Sequence, residues 1–176
     1  MAMPFDMDMN AFADIASGAY DLDQQILGAR NVGSNVAGIY QIGNEDPDLS
    51  NVAVIEQTGG EGNRAMIWQS GDSHWAKITQ DNEGINNTAR LVQIGSGHFA
   101  NLIQSGGSDN VMMVQMLGQG ARINATQVDA VSNVISVVLN SGSQLTVTQT
   151  GYGNNFSTVL APNTVMQVNQ SGLVGQ

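Results

Sequence analysis

His74 and His98 are the two side chains whose ordinary pKa lies nearest neutrality, so acid–base or nucleophilic chemistry in this chain would start from them. Each opens the same short frame, His74-Trp-Ala76-Lys-Ile78-Thr-Gln80 and His98-Phe-Ala100-Asn-Leu102-Ile-Gln104. In a strand both rings would point inward with Ala, Ile or Leu, and Gln. The nearest carboxylate in such a position, Asp109, falls in the opposite column of the repeat, so no Ser–His–Asp relay assembles. Asp6-Met-Asp8-Met-Asn10 alternates oxygen ligands but lacks the glycine and distal glutamate of a calcium loop. Gly59-Gly60-Glu61-Gly62-Asn63 lacks the aspartate of a calcium β-roll and, as a phosphate loop, the following lysine and helix. Five basic residues against a net charge of −10 cannot neutralise a nucleic-acid backbone. Cysteine is absent, which removes disulfide and thiolate chemistry. The expectation is no catalytic residue, no cofactor and no metal.

The elements that hold these residues come from a repeat. From Asn35 onward a seven-residue unit recurs: Asn or His, x, Ala, x, aliphatic, x, Gln, then a short break that often contains glycine. Units begin at Asn35, Asn51, Asn63, His74, Asn87, His98, Asp109, Ala121, Asn133, Ser143, Asn155 and Thr164. The third position is Ala in the first six units and then Val111, Ile123, Ile135, Leu145, Ser157 and Met166. The fifth is apolar throughout, from Ile39 and Ile55 to Met113, Val159 and Val168. The seventh is Gln41, Gln57, Gln69, Gln80, Gln93, Gln104, Gln115, Gln127, Gln149 and Gln170, with Leu139 and Ala161 as the exceptions. The chain has 16 glutamines, so chance would place about one there. Gly43, Gly59, Gly71, Gly95, Gly106, Gly151 and Gly172 stand two residues after a seventh position, where a tight arc needs conformational freedom.

Alternation of fixed and variable residues is the period of a β-strand, and seven residues span about 23 Å. The breaks are too short for a crossover helix, so the next strand must return opposite, and the third lands on the first. The predicted fold is all-β: a two-sheet parallel β-solenoid of about six strand–arc–strand coils over residues 35–176, with amyloid-like cross-β stacking. Alternate units should then share columns. Asn35, Asn63, Asn87, Asp109, Asn133 and Asn155 form one; Gln57, Gln80, Gln104, Gln127, Gln149 and Gln170 form an unbroken second, and His74 stacks on His98. A buried amide without a partner costs roughly 1–3 kcal/mol, and in-register stacking lets each amide satisfy the next. No charged cap closes the last unit, so the ends are expected to be open templates.

At these residues the chain resembles the curlins, the subunits of curli fibres of Gram-negative biofilms. That family's repeat runs Gln-x-Gly-x-x-Asn-x-Ala-x-x-x-Gln. It is matched, with His in the Asn place, by Gln69-Ser-Gly71-Asp-Ser-His74-Trp-Ala76-Lys-Ile-Thr-Gln80 and Gln93-Ile-Gly95-Ser-Gly-His98-Phe-Ala100-Asn-Leu-Ile-Gln104. The resemblance covers about residues 35–170. It implies an extracellular functional amyloid made by self-assembly, export through an outer-membrane pore, and a partner curlin subunit. A major or a nucleating subunit both fit. The alternative is a monomeric solenoid that binds ice or glycan, or serves as an adhesin, on a flat outer face such as a Thr-x-Thr ladder, of which Thr146 and Thr148 are a pair.

Residues 1–34 stand apart as an acidic, Met-rich arm, with Asp23–Ala29 a degenerate first strand. No apolar run reaches 18 residues, so no membrane insertion is expected, and Met1–Asn10 lacks the regions of a signal peptide. That leaves a cytosolic protein or an exported one whose leader has been removed; the family resemblance favours export. Trp68, Trp75, Phe99 and Phe156 fall on outward positions, open to lateral contact or ligand stacking. Asp72, Asp81, Glu83 and Asp129 lie in arcs as gatekeepers against premature stacking, and the uncharged stretch after Asp129 is expected to be the most aggregation-prone. Protonating the stacked histidines should weaken the structure as pH falls through about 6.

Overall fold

A computed structural model describes residues 35–43, 50–81 and 83–172. The expected N-terminal arm, the strand at Asp23–Ala29 and the possible calcium motif at Asp6–Asn10 lie outside the described residues. Twelve strands follow one another: β1 (Val36–Ile42), β2 (Val52–Gln57), β3 (Arg64–Asp72), β4 (Trp75–Asp81), β5 (Thr88–Ser96), β6 (Phe99–Ser105), β7 (Val111–Gln119), β8 (Arg122–Val131), β9 (Val134–Leu139), β10 (Gln144–Tyr152), β11 (Asn155–Leu160) and β12 (Val165–Ser171). The odd strands stack in order as one six-stranded sheet and the even strands as a second. Every pairing among the described residues is parallel. The chain is a two-sheet β-solenoid, each coil supplying one strand to each sheet.

One continuous core lies between the sheets, because every second residue of every strand faces it. In the odd sheet the register joins Ala37, Ala65, Ala89, Met112, Ile135 and Phe156, and beside them Ile39, Ile67, Leu91, Val114, Val137 and Thr158. In the even sheet it joins Ala53, Ala76, Ala100, Ile123, Leu145 and Met166, and beside them Ile55, Ile78, Leu102, Ala125, Val147 and Val168.

Two units sit one residue away from the expected frame. Asp109 has φ 57° and belongs to the arc; the unit starts at Asn110, so Met112, Val114 and Met116 face inward and Val111, Met113 and Gln115 outward. Likewise Asn154 fills the first position, which turns Asn155, Ser157 and Val159 outward and carries Phe156, Thr158 and Leu160 inward. Gln115 and Asn155 are therefore not ladder residues, Ala161 lies beyond the strand, and Phe156 packs against the core. The physical reason lies in the arc. From Asn63 onward the residue before each first position is left-handed: Gly62, Asn86, Asp109, Ser132 and Gly153 in one arc series, Ser73, Gly97, Gly120, Gly142 and Asn163 in the other. That conformation is cheapest for Gly, Asn and Asp, whereas a first-position residue must be extended.

The arc glycines Gly59, Gly71, Gly95, Gly106 and Gly151 have positive φ; Gly43 does not. Gly71, Gly95 and Gly118 stack on one another at the ends of β3, β5 and β7. A β-carbon on Gly71 would collide with the carbonyl oxygen of Gly95, and one on Gly95 with that of Gly118.

Candidate assembly site: amide columns and open edges

The even-sheet glutamines form a continuous hydrogen-bonded column. Nε2 of Gln57 donates to Oε1 of Gln80 at 2.7 Å, Gln80 to Gln104 at 2.8 Å, and Gln104 to Gln127 at 2.9 Å. Gln127 then donates to Gln149 at 2.8 Å, and Gln149 to Gln170 at 2.7 Å. The second hydrogen of each amide reaches across the core to the strand opposite, as from Gln80 to the Arg64 carbonyl at 3.0 Å and from Gln149 to the Val134 carbonyl at 3.0 Å. Each glutamine thus ties its coil to the next and its own two sheets together. The four central members are essentially inaccessible to water, where an unmade amide bond would cost roughly 1–3 kcal/mol.

The odd-sheet column begins in the same way and stops. Gln41 donates to Gln69 at 2.6 Å and Gln69 to Gln93 at 2.8 Å. Gln93 then donates to the Met116 sulfur at 3.5 Å, a weak acceptor. Leu139 and Leu160 continue the column without polar atoms.

Asparagine makes one rung of the side-chain ladder expected of it, Asn110 Nδ2 donating to Asn87 Oδ1 at 3.0 Å, and otherwise works through the backbone. Oδ1 of Asn35 accepts from the backbone N–H of Asn63, Asn63 from Asn87, Asn87 from Asn110, Asn110 from Asn133 and Asn133 from Asn154, at 2.8–3.1 Å. The amide nitrogen closes the arc, as where Asn63 donates to the Gly84 carbonyl at 2.7 Å. Nδ2 of Asn87 and of Asn133 finds no partner among the described residues.

The histidines take the asparagine role on the even sheet. Asn51 Oδ1 accepts the His74 backbone N–H at 2.9 Å, His74 Nδ1 accepts that of His98 at 3.3 Å, and His98 Nδ1 accepts that of Ala121 at 3.1 Å. A nitrogen that accepts must be unprotonated, so the proton resides on Nε2, which donates to the Ser70 carbonyl at 3.3 Å in His74 and to the Ile94 carbonyl at 3.1 Å in His98. The rings stack 5.0 Å apart and 5° from parallel. Burial pushes both pKa values below the usual histidine range, against the pull of the carbonyls at Ser70 and Ile94; a charge on His74 lowers His98 further. With both ring nitrogens committed to backbone, neither imidazole presents a lone pair to a substrate. Among the described residues no three His, Cys, Asp or Glu side chains cluster to hold a metal ion.

Outside the sheets, Trp75 stacks on Phe99 with centroids 4.4 Å apart, and the Arg122 guanidinium lies 6.0 Å from the Phe99 ring. Trp68 also points outward, edge-on to Tyr40 at 5.2 Å, yet it is buried, as are Met66, Arg90 and Val92 on the same outer face. The outer column that could present threonine reads Glu56, Thr79, Ile103, Thr126, Thr148 and Asn169. Ile103 interrupts it, so no regular threonine face forms.

Among the described residues β1 and β2 pair on one side only, as do β11 and β12, so both ends of the described stack are open. Ile39, an inward residue, is 42 % exposed, whereas its partner Ile67 one coil on is 0 % exposed. Backbone edges and core columns end together there. The chain matches no protein-family model and no curated protein.

Proposed function

We propose that this chain is a structural subunit that polymerises end to end into an extracellular, curli-like functional amyloid fibre of a biofilm matrix. The observation that supports this most is the even-sheet glutamine column, which runs through every described coil and reaches both edges of the described stack. A sheet edge with unpaired backbone groups is a template for another strand, and soluble proteins ordinarily block it with charge, proline or a covering element. Here β11 and β12 carry no charged residue. Addition of a second copy would continue the two sheets, the core and the amide column at once, and the gain comes from the same backbone and amide bonds that hold the coils together. The partners are then other copies, with a related subunit and an outer-membrane export pore as the family resemblance suggests. The chain would act by its architecture rather than by catalysis.

Incubating the purified chain and imaging it by negative-stain microscopy, with thioflavin fluorescence alongside, tests the reading. Unbranched fibres with a meridional spacing of about 4.8 Å are expected. A chain that stays monomeric at high concentration for days defeats it.

A further inference from the structure

The amide columns have a direction, and direction decides how two copies meet. Every even-sheet glutamine from Gln57 to Gln149 donates Nε2–H towards the following coil and accepts at Oε1 from the preceding one. Among the described residues no coil precedes Gln57, so its acceptor faces the β2 edge, and none follows Gln170, so a donor faces the β12 edge. The asparagine column runs with opposite polarity: Oδ1 faces the following coil and the backbone N–H the preceding one. At the β11 edge stands the Asn154 acceptor, and at the β1 edge the Asn35 N–H.

Resting on the polymer reading above, we propose that copies join head to tail, the β11/β12 edge of one copy on the β1/β2 edge of the next, with Gln170 Nε2 donating to Gln57 Oε1. Joining two like edges would reverse the strands and set seventh positions over first positions, so neither the parallel pairing seen throughout the described residues nor the glutamine column would continue.

The outer face selects which sheet continues which. With odd on odd and even on even, Val165 lands on Val52 and Val159 on Tyr40. The valines are among the most exposed apolar side chains, at 74 %, 44 % and 62 % for Val165, Val52 and Val159. A half-turn about the fibre axis would instead lay Val159 on the carboxylate Glu56. The joint is lopsided, since the even column passes through it unbroken, while Leu160 covers Gln41 and gives its Oε1 no donor. Each copy therefore interrupts the odd column, and the bond between copies is weaker than that between the first three coils, where both columns carry amide bonds.

Cysteine is absent from the chain, so single substitutions report the joint cleanly. Paired parallel strands place Cα atoms about 4.8 Å apart, within disulfide range. Fibres grown from an equal mixture of Val52→Cys and Val165→Cys chains, then oxidised, should yield the mixed disulfide dimer. Fibres of either variant alone should yield none. Cross-linking of Val54→Cys alone means head-to-head joints, and of Gln167→Cys alone tail-to-tail joints, because reversed strands bring only the middle position of each unit onto itself. Cross-linking of Val165→Cys with Val36→Cys means the half-turn arrangement. Each of these overturns the proposal while leaving polymerisation intact. Failure of every variant and of the wild type to assemble removes the polymer and the joint together.

Discussion

The first three coils and the last three fill the same slots by different means. In coils one to three the third position of the unit is Ala in both sheets, at Ala37, Ala53, Ala65, Ala76, Ala89 and Ala100, and both seventh positions are glutamine. In coils four to six the third position becomes Met112, Ile123, Ile135, Leu145, Phe156 and Met166, and the odd seventh position becomes Met116, Leu139 and Leu160. An aliphatic side chain packs acceptably on any aliphatic neighbour, but a buried amide is satisfied only by an amide or a carbonyl at a fixed place. The first half is therefore pinned in register at both seventh positions. The second half is pinned by the even glutamine column and the asparagines alone.

The largest test of this contrast uses the stacked glycines. Gly95→Ala drives a β-carbon into the Gly118 carbonyl at φ 124°; we expect a cost on the order of 4 kcal/mol, the sum of overpacking and left-handed strain. Gly118→Ala meets the movable hydroxyl of Ser141 in place of backbone, and should cost about 1–2 kcal/mol, mostly from its positive φ. Denaturant unfolding of the soluble chain measures both, and equal losses would dissolve the distinction.

Next come the glutamines. Gln104→Leu strands an Nε2–H on Gln80 and an Oε1 on Gln127, both fully buried, at a cost of about 2–5 kcal/mol for two orphaned groups. Gln93→Met orphans one bond from Gln69 and otherwise extends the sulfur and leucine packing of Met116 and Leu139, so about 1–3 kcal/mol is expected. If the two variants unfold at the same midpoint, the even column has no special role.

The histidines give a smaller, pH-dependent effect confined to the first half. Their folded pKa values lie below the ordinary 6.5, through burial. A depressed histidine pKa means that the unfolded chain binds the proton first. The stability contributed is complete above 6.5 and is lost as pH falls from there through the folded values. Protonation also places an N–H on Nδ1 facing the backbone N–H it had accepted. His74→Asn with His98→Asn keeps the acceptor and removes the titration, so stability between pH 7.5 and 5 should flatten relative to wild type. Superimposable profiles would remove the histidine contribution. The smallest change is on the outer face: Trp75→Ala loses its stack on Phe99, and about 1 kcal/mol is expected from thermal unfolding.

The same contrast explains where the sequence was legible. Up to Gln104, alternation of Ala, aliphatic and Gln sets the phase of each strand, and the structure keeps that phase. In Val111-Met-Met-Val-Gln-Met116 every position but one is apolar, so alternation carries no phase, and Gln115 draws the frame one residue early. Asn154-Asn155 offers two equivalent starts in the same way. The missed signal was the left-handed residue before each unit, a run of Gly, Asn, Asp and Ser at the positions that close each arc.

Spacing alone determined the strands, the parallel two-sheet stack and the unbroken column from Gln57 to Gln170, because a period of two with short arcs admits few other windings. Only the folded chain decided that asparagine and histidine do one job, since that depends on where Oδ1 or Nδ1 meets the backbone N–H of the next coil. It also decided the direction of the columns. An amide is symmetric in a sequence and polar in space, and its donor points one way only once neighbours fix it.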